Sequence, residues 1–164
     1  YFDALGFPAR EAAILLAIGG VLSMSGRALV GLAADRFGAL TAGFATLVMS
    51  LAGALSLAGL GLWPSRVLAG AYILLVFAPM GTRATVVSLL TQRIAPPARF
   101  GAVFGWLVGI NSLGAGLGPF LSGALYDLTR SYLVVYLTAA GLIALSLAAL
   151  GIFLMTTSGR AGSR

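Results

Sequence analysis

The sequence has no cysteine, no histidine and no lysine among its 164 residues, and only four residues are acidic. The absence of cysteine excludes disulfide bonds and thiolate metal sites. The absence of histidine removes the commonest general base and proton switch. The sequence also has no nucleotide-binding glycine loop, no cluster of metal ligands and no paired nucleophile and base. We therefore predict that the protein is not an enzyme and uses no cofactor or metal.

Charge of either sign is scarce. Charged residues make up 9% of the chain and hydrophobic residues 60%, and the mean hydropathy is +1.05. A soluble domain carries about 25% charged residues, so this composition is too apolar for a water-facing surface and predicts contact with membrane lipid. The net charge of +6 comes from ten scattered arginines, whereas nucleic-acid-binding proteins cluster their basic residues. We therefore expect no nucleic-acid partner.

Five apolar stretches are long enough to cross a bilayer as helices, which takes about 20 residues each. None of them alternates polar and apolar residues, as a membrane β-barrel would. We predict an all-α integral membrane protein with five transmembrane helices, which form one partial transmembrane domain over residues 1–164. The predicted helices cover residues 12–34, 40–62, 67–90, 102–125 and 132–155.

Arginine is unevenly divided between the two predicted sides of the membrane. One side holds Arg36, Arg93, Arg99, Arg160 and Arg164. The other holds fewer arginines and three of the acids, namely Arg10, Arg66 and Arg130 with Asp3, Glu11 and Asp127. Because cytoplasmic loops carry the excess of arginine, we predict a multi-pass protein of the cell membrane whose C-terminus is cytoplasmic.

Two arginines lie inside apolar stretches, where a charge is costly and usually faces a protein interior or a water-filled cavity. Arg27 and Arg83 each lie four residues past the centre of a predicted helix, ~6 Å towards the cytoplasmic side. Arg27 shares one helix face with Gly20, Ser23 and Gly31, which is small and polar. Since a guanidinium binds a carboxylate with two hydrogen bonds, Arg27 and Ser23 are candidate contacts for an anionic substrate. An arginine whose head reaches the interface is the structural alternative.

Arg83 lies on a mostly apolar face after Pro79, and we keep it as a second candidate substrate contact. Asn111 is the only amide at mid-depth, and it is a candidate substrate contact near Arg27 or a hydrogen-bond partner for another helix. The fourth stretch also carries regularly spaced small residues, which allow helices to approach closely in lipid. The predicted packing residues, of which the last two also predict a kink or break, are Gly101, Gly105, Gly109, Gly118 and Pro119.

The segment from Gly31 to Gly38, Gly-Leu-Ala-Ala-Asp-Arg-Phe-Gly, resembles the Gly-x-x-x-Asp-Arg/Lys-x-Gly signature of the major facilitator superfamily. Gly116 to Tyr132 resembles the end of helix eleven and the entry to helix twelve of that family, and Tyr1 to Ala13 resembles the outer loop before helix eight. The resemblance implies that the chain corresponds to helices eight to twelve of a twelve-helix fold. It also implies a partner, the N-terminal half of the same transporter, and a cytoplasmic gate that includes Gly31, Asp35, Arg36 and Gly38.

Within that superfamily, Gly26-Arg27 resembles the monocarboxylate and oxalate/formate transporter branch, in which an arginine on helix eight is implicated in carboxylate binding. This implies a secondary transporter of an organic anion that works by alternating access, with a proton as the candidate coupled ion. Two positions depart from the pattern. Ser23 replaces an acid found in animal members, and Ala39 and Leu40 replace the basic residues that follow the signature. The alternatives are an exporter of drugs or sugars with the same fold, and a membrane interaction or structural subunit that transports nothing.

Overall fold

The computed structural model describes residues 2, 5–80, 87–88, 91–92 and 95–161, with side chains described as far as residue 152. This part of the chain is all-helical. Four of its helices are long and apolar enough to cross a membrane, and a fifth, shorter helix is also apolar. The chain therefore has the architecture of a multi-pass membrane protein.

Helix α1 spans Ala9–Phe37, α2 spans Ala39–Leu62 and α3 spans Arg66–Met80. A 3-10 turn over Pro97–Arg99 leads directly into α4, Phe100–Thr129, and α5 spans Tyr132–Ala161. Very short connections join α1 to α2, α2 to α3 and α4 to α5.

Four of the five predicted spans coincide with described helices, which are one to six residues longer than predicted. The third coincides only over α3, because the rest of that stretch lies largely outside the described residues, with residues 87–88 and 91–92 helical. Helix α4 runs through Gly118 and Pro119 without a break. A proline removes a single helix hydrogen bond, a loss that membrane helices tolerate.

The packing centres on α1, α2 and α3, which contact one another, while α5 packs against α2. Small residues occupy the contact face of α2, where the buried residues include Ala39, Ala42, Gly43, Thr46, Ser50, Gly53 and Ala58. The buried hydroxyl of Thr46 donates to the Gly43 carbonyl oxygen at 2.8 Å, and that of Ser50 donates to Thr46 at 2.8 Å. Each polar side chain is therefore satisfied within its own helix, which allows burial in an apolar interface.

A single residue, Gly38, joins α1 to α2. Its amide donates to the Ala34 carbonyl at 2.9 Å, and its own carbonyl accepts from Ala42 at 3.1 Å. Gly38 therefore ends one helix and begins the next. Its φ of 91° and ψ of 147° lie in a region that is essentially restricted to glycine. The last glycine of the Gly31–Gly38 segment is thus required by backbone geometry.

At the far end of α4, Arg130 makes the turn into α5. Its φ of 52° is left-handed, and its amide bonds to the Tyr126 carbonyl at 2.6 Å. The rings of Tyr126 and Tyr132 stack across this turn with centroids 4.1 Å apart. The predicted loop over residues 126–132 is therefore only two residues long, because α4 continues to Thr129.

Replacement of Gly38 by alanine should destabilise the fold by about 1–3 kcal/mol, since the added β-carbon opposes the observed φ. Gly31→Ala is the matched control. A β-carbon at Gly31 meets nothing within 4 Å, and alanine in a helix is up to about 1 kcal/mol more favourable than glycine. Thermal unfolding of both variants in one detergent measures the difference, and equal melting temperatures would contradict the assignment.

Candidate functional site

Arg27 lies in the middle third of α1. The midpoint of α1 is Ser23, so Arg27 lies ~6 Å from it, on the side of Gly38. Arg27 is exposed and Ser23 is half-buried. Within the part of the chain that the structure describes, Arg27 makes no hydrogen bond or ion pair.

Helix α1 presents three different faces, at about 100° of rotation per residue. Gly19, Gly26 and Ala34 are buried on the packing face. Arg27 lies beside this face together with Gly20 and Gly31, and a β-carbon at either glycine would meet nothing within 4 Å. The opposite side carries exposed aliphatic side chains, namely Ile14, Ile18, Val21, Leu29 and Leu32. The guanidinium therefore lies beside small residues and away from most of the exposed aliphatic side chains, with Leu16 and Met24 as the exposed apolar residues on its own side.

Asn111 is exposed on α4, ~5 Å from the helix midpoint. The five alternating spans predicted from the sequence would bring Asn111 and Arg27 to nearly the same depth, displaced towards the same side of the membrane. No hydrogen bond joins the two side chains. The predicted approach of Asn111 to Arg27 therefore stays a prediction, and Arg83 lies outside the described residues.

The charged residues of the Gly31–Gly38 segment lie at the end of α1. Asp35 and Arg36 are both exposed, and they form no ion pair with each other. The guanidinium carbon of Arg36 lies 5.7 Å from the centroid of the Phe37 ring. Adjacent helix residues point about 100° apart, so Arg36 lies on the side of Leu29, whereas Asp35 lies between that side and the side of Arg27.

Glycines of α1 and α2 make the close helix contacts. A β-carbon on Gly26 would overlap the backbone carbonyl oxygen of Ala78, and one on Gly19 would lie 2.7 Å from the Phe77 ring. Gly53 of α2 similarly abuts Val76. The predicted packing glycines of α4 meet no neighbour within 4 Å among the described residues, and their packing role stays a prediction; they are Gly101, Gly105, Gly109 and Gly118.

An ion pair that was not predicted from the sequence joins the first turns of α1 and α3. Arg66 Nη2 donates to Glu11 Oε1 at 2.9 Å, and Arg66 Nε donates to Oε2 at 3.2 Å. Glu11 suits a helix N-terminus, whereas a cation such as Arg66 does not, so the bidentate pair offsets an unfavourable helix position. The sequence feature that points to this ion pair is the position of both residues, each at the start of an apolar helix on the same predicted side of the membrane.

The lead-in before α1 covers the same end of the bundle. The Phe7 side chain is buried against Leu60 and Ala69. The Phe2 ring packs edge-on to Phe7, with centroids 5.5 Å apart, and lies 6.1 Å from the ring of Tyr72. The segment before α1 therefore contributes apolar side chains that cover one end of α1, α2 and α3.

Gly26→Ala should destabilise the protein by about 1–3 kcal/mol, because its methyl group forces α1 and α3 apart. Gly20→Ala on the neighbouring face is the matched control and should be neutral or stabilising. Thermal unfolding separates the two variants. A Gly26→Ala protein as stable as the Gly20→Ala protein would contradict the close contact.

Glu11 and Arg66 should show a coupling energy of about 0.2–1 kcal/mol, the range of exposed ion pairs, since Arg66 is 79% exposed. A double-mutant cycle with Glu11→Gln and Arg66→Gln measures it. Arg10→Gln in place of Arg66→Gln serves as the control and should show no coupling. A coupling of zero that does not change between low and high salt would refute the pair.

Comparison with family models, curated proteins and solved structures gives no match to this chain. The resemblance to the major facilitator superfamily therefore depends on the motif residues alone. The helix architecture, the position of Arg27 and the glycine contacts are the observations available for assigning a function.

Proposed function

We propose that the protein is part of a secondary transporter that moves a small organic anion, such as a monocarboxylate, across a membrane. The observation that carries this proposal is Arg27, an exposed arginine near the midpoint of a 29-residue apolar helix. An arginine at such a depth costs at least about 2.5–3.5 kcal/mol. A residue with so high a cost is kept inside a membrane helix where its charge has a function.

The surroundings of Arg27 favour a water-filled cavity over lipid. Gly20, Ser23 and Gly31 lie four or seven residues from Arg27 on its side of the helix, and most of the exposed aliphatic side chains of α1 are on the opposite side. Met24, three residues before Arg27, is the apolar neighbour. Small residues leave room for a ligand to approach the guanidinium, and no described acid neutralises it. A carboxylate that bonds to both edges of the guanidinium supplies the missing counter-charge.

Asn111 suits a second, uncharged contact to the same substrate. It lies at the depth of Arg27 on another helix, and its amide offers both a donor and an acceptor. A site built from one cation and one amide binds a single carboxylate with a neighbouring carbonyl or hydroxyl group. This composition favours monocarboxylates over substrates with several charges.

The Gly31–Gly38 segment supports membership of the major facilitator superfamily. In that family two halves alternate around a central site, and Asp35 and Arg36 then belong to the gate at the Gly38 end. The glycine stripe of α4 is the surface for further helices of the same fold. The Gly38 end is then cytoplasmic.

In the full-length protein, Arg27→Lys should reduce carboxylate uptake about tenfold or more. Lysine keeps the charge but loses the bidentate geometry, which is worth about 1.5–3 kcal/mol for a hydrogen bond to a charged group. Uptake of a panel of labelled monocarboxylates into proteoliposomes measures the effect. Arg99→Lys, at an exposed arginine outside the site, is the control and should leave uptake unchanged.

Normal uptake by the Arg27→Lys protein would remove Arg27 from the site. Saturable uptake of neutral sugars or cationic drugs, with no uptake of carboxylates, would favour an exporter of the same fold. Absence of transport of every substrate class would favour a structural membrane subunit.

A further inference from the structure

A second surface, separate from Arg27, combines an apolar cavity with an unpaired arginine. The cavity lies between α1, α2 and the end of α3, and its volume is about 290 Å³. Its lining is apolar and includes Gly26, Leu29, Ala33, Ala45, Met49 and Pro79. Thr46 also lines it, but the Thr46 hydroxyl is bonded to Gly43. The described residues that line the cavity therefore offer no free polar group, and this lining suits a hydrocarbon chain.

The exposure of its rim shows that the cavity opens towards lipid. Leu29 is 65% exposed, and it belongs to the aliphatic side of α1. Ala45 on α2 is exposed as well. An acyl chain from the surrounding bilayer thus has lateral access to the cavity between these two residues.

Arg36 lies directly beyond the cavity, at the membrane surface. It follows Leu29 by seven residues, so it is on the same side of α1, ~10 Å further along the axis. Its guanidinium lies over the Phe37 ring, which holds it near the end of the helix. Asp35 forms no ion pair with it, and the other described acids, Glu11 and Asp127, lie at the opposite ends of the helices.

We propose that this surface binds a phospholipid with a net negative headgroup, whose phosphate contacts Arg36 and whose acyl chain enters the cavity. The distance between cation and cavity matches the two ends of such a molecule, because a single leaflet contributes about half of the ~30 Å hydrocarbon core. Arginine beside a membrane attracts anionic headgroups. The lipid ties α1, α2 and α3 together at the Gly38 end, where they leave a gap.

The test is a titration of the purified chain, in a neutral detergent, with dioleoylphosphatidylglycerol. The melting temperature should rise saturably, because a ligand that binds only the folded state stabilises it. Dioleoylphosphatidylcholine has the same chains without net charge, and glycerol phosphate has the charge without chains; neither should reproduce the rise. An equal rise with phosphatidylcholine would overturn the role of the charge, and an equal rise with glycerol phosphate would overturn the role of the chain.

Two variants separate the headgroup contact from the cavity. Arg36→Gln should need about fivefold more phosphatidylglycerol for half-saturation, whereas Arg36→Lys and the control Arg99→Gln should behave like the unmodified protein. Ala45→Phe fills the cavity and should abolish the rise, while Ala45→Ser should keep it. Unchanged half-saturation in Arg36→Gln or an unchanged rise in Ala45→Phe would overturn the proposal. If Arg36→Gln does not fold, Ala45→Phe decides alone.

Discussion

Backbone contact between α1 and α3 is the constraint from which the rest of the described structure follows. In lipid, helices gain little from burying apolar side chains and associate through close packing. Gly26 meets the Ala78 carbonyl and Gly19 meets the Phe77 ring, so one face of α1 is fixed against α3. This contact also fixes the directions of the other two faces of α1, the one that carries Arg27 and the one that carries the exposed aliphatic residues. Arg27 is turned to one side of the contact and the aliphatic residues to the other, which places a cation and a lipid surface on the same helix without conflict.

The helices could be predicted from the sequence because apolar length alone defines a membrane span. The depth of Arg27 could be predicted for the same reason, since it follows from counting residues along one helix. The ion pair between Glu11 and Arg66 could not be predicted in this way, because it depends on which helices become neighbours. The partner of Asn111 could not be predicted for the same reason. The sequence predicts a depth for this residue but not which helix lies beside it.

Glycine spacing shows the limits of sequence pattern even more clearly. The stripe on α4 is the most regular in the chain, yet its glycines meet no described neighbour, whereas Gly19, Gly26 and Gly53 make the close contacts. Spacing places glycines on one helix face, but it says nothing about what lies opposite. Only the tertiary arrangement distinguishes a glycine in contact from a glycine that faces open space.

The one-residue connection at Gly38 has a mechanical consequence. Two helices joined by a long loop rotate independently, but α1 and α2 share a single pair of backbone torsions. A rotation of α1 about its axis therefore also moves the first turn of α2. Since α5 packs on α2, a displacement that begins beside Arg27 passes through this joint to the far side of the bundle.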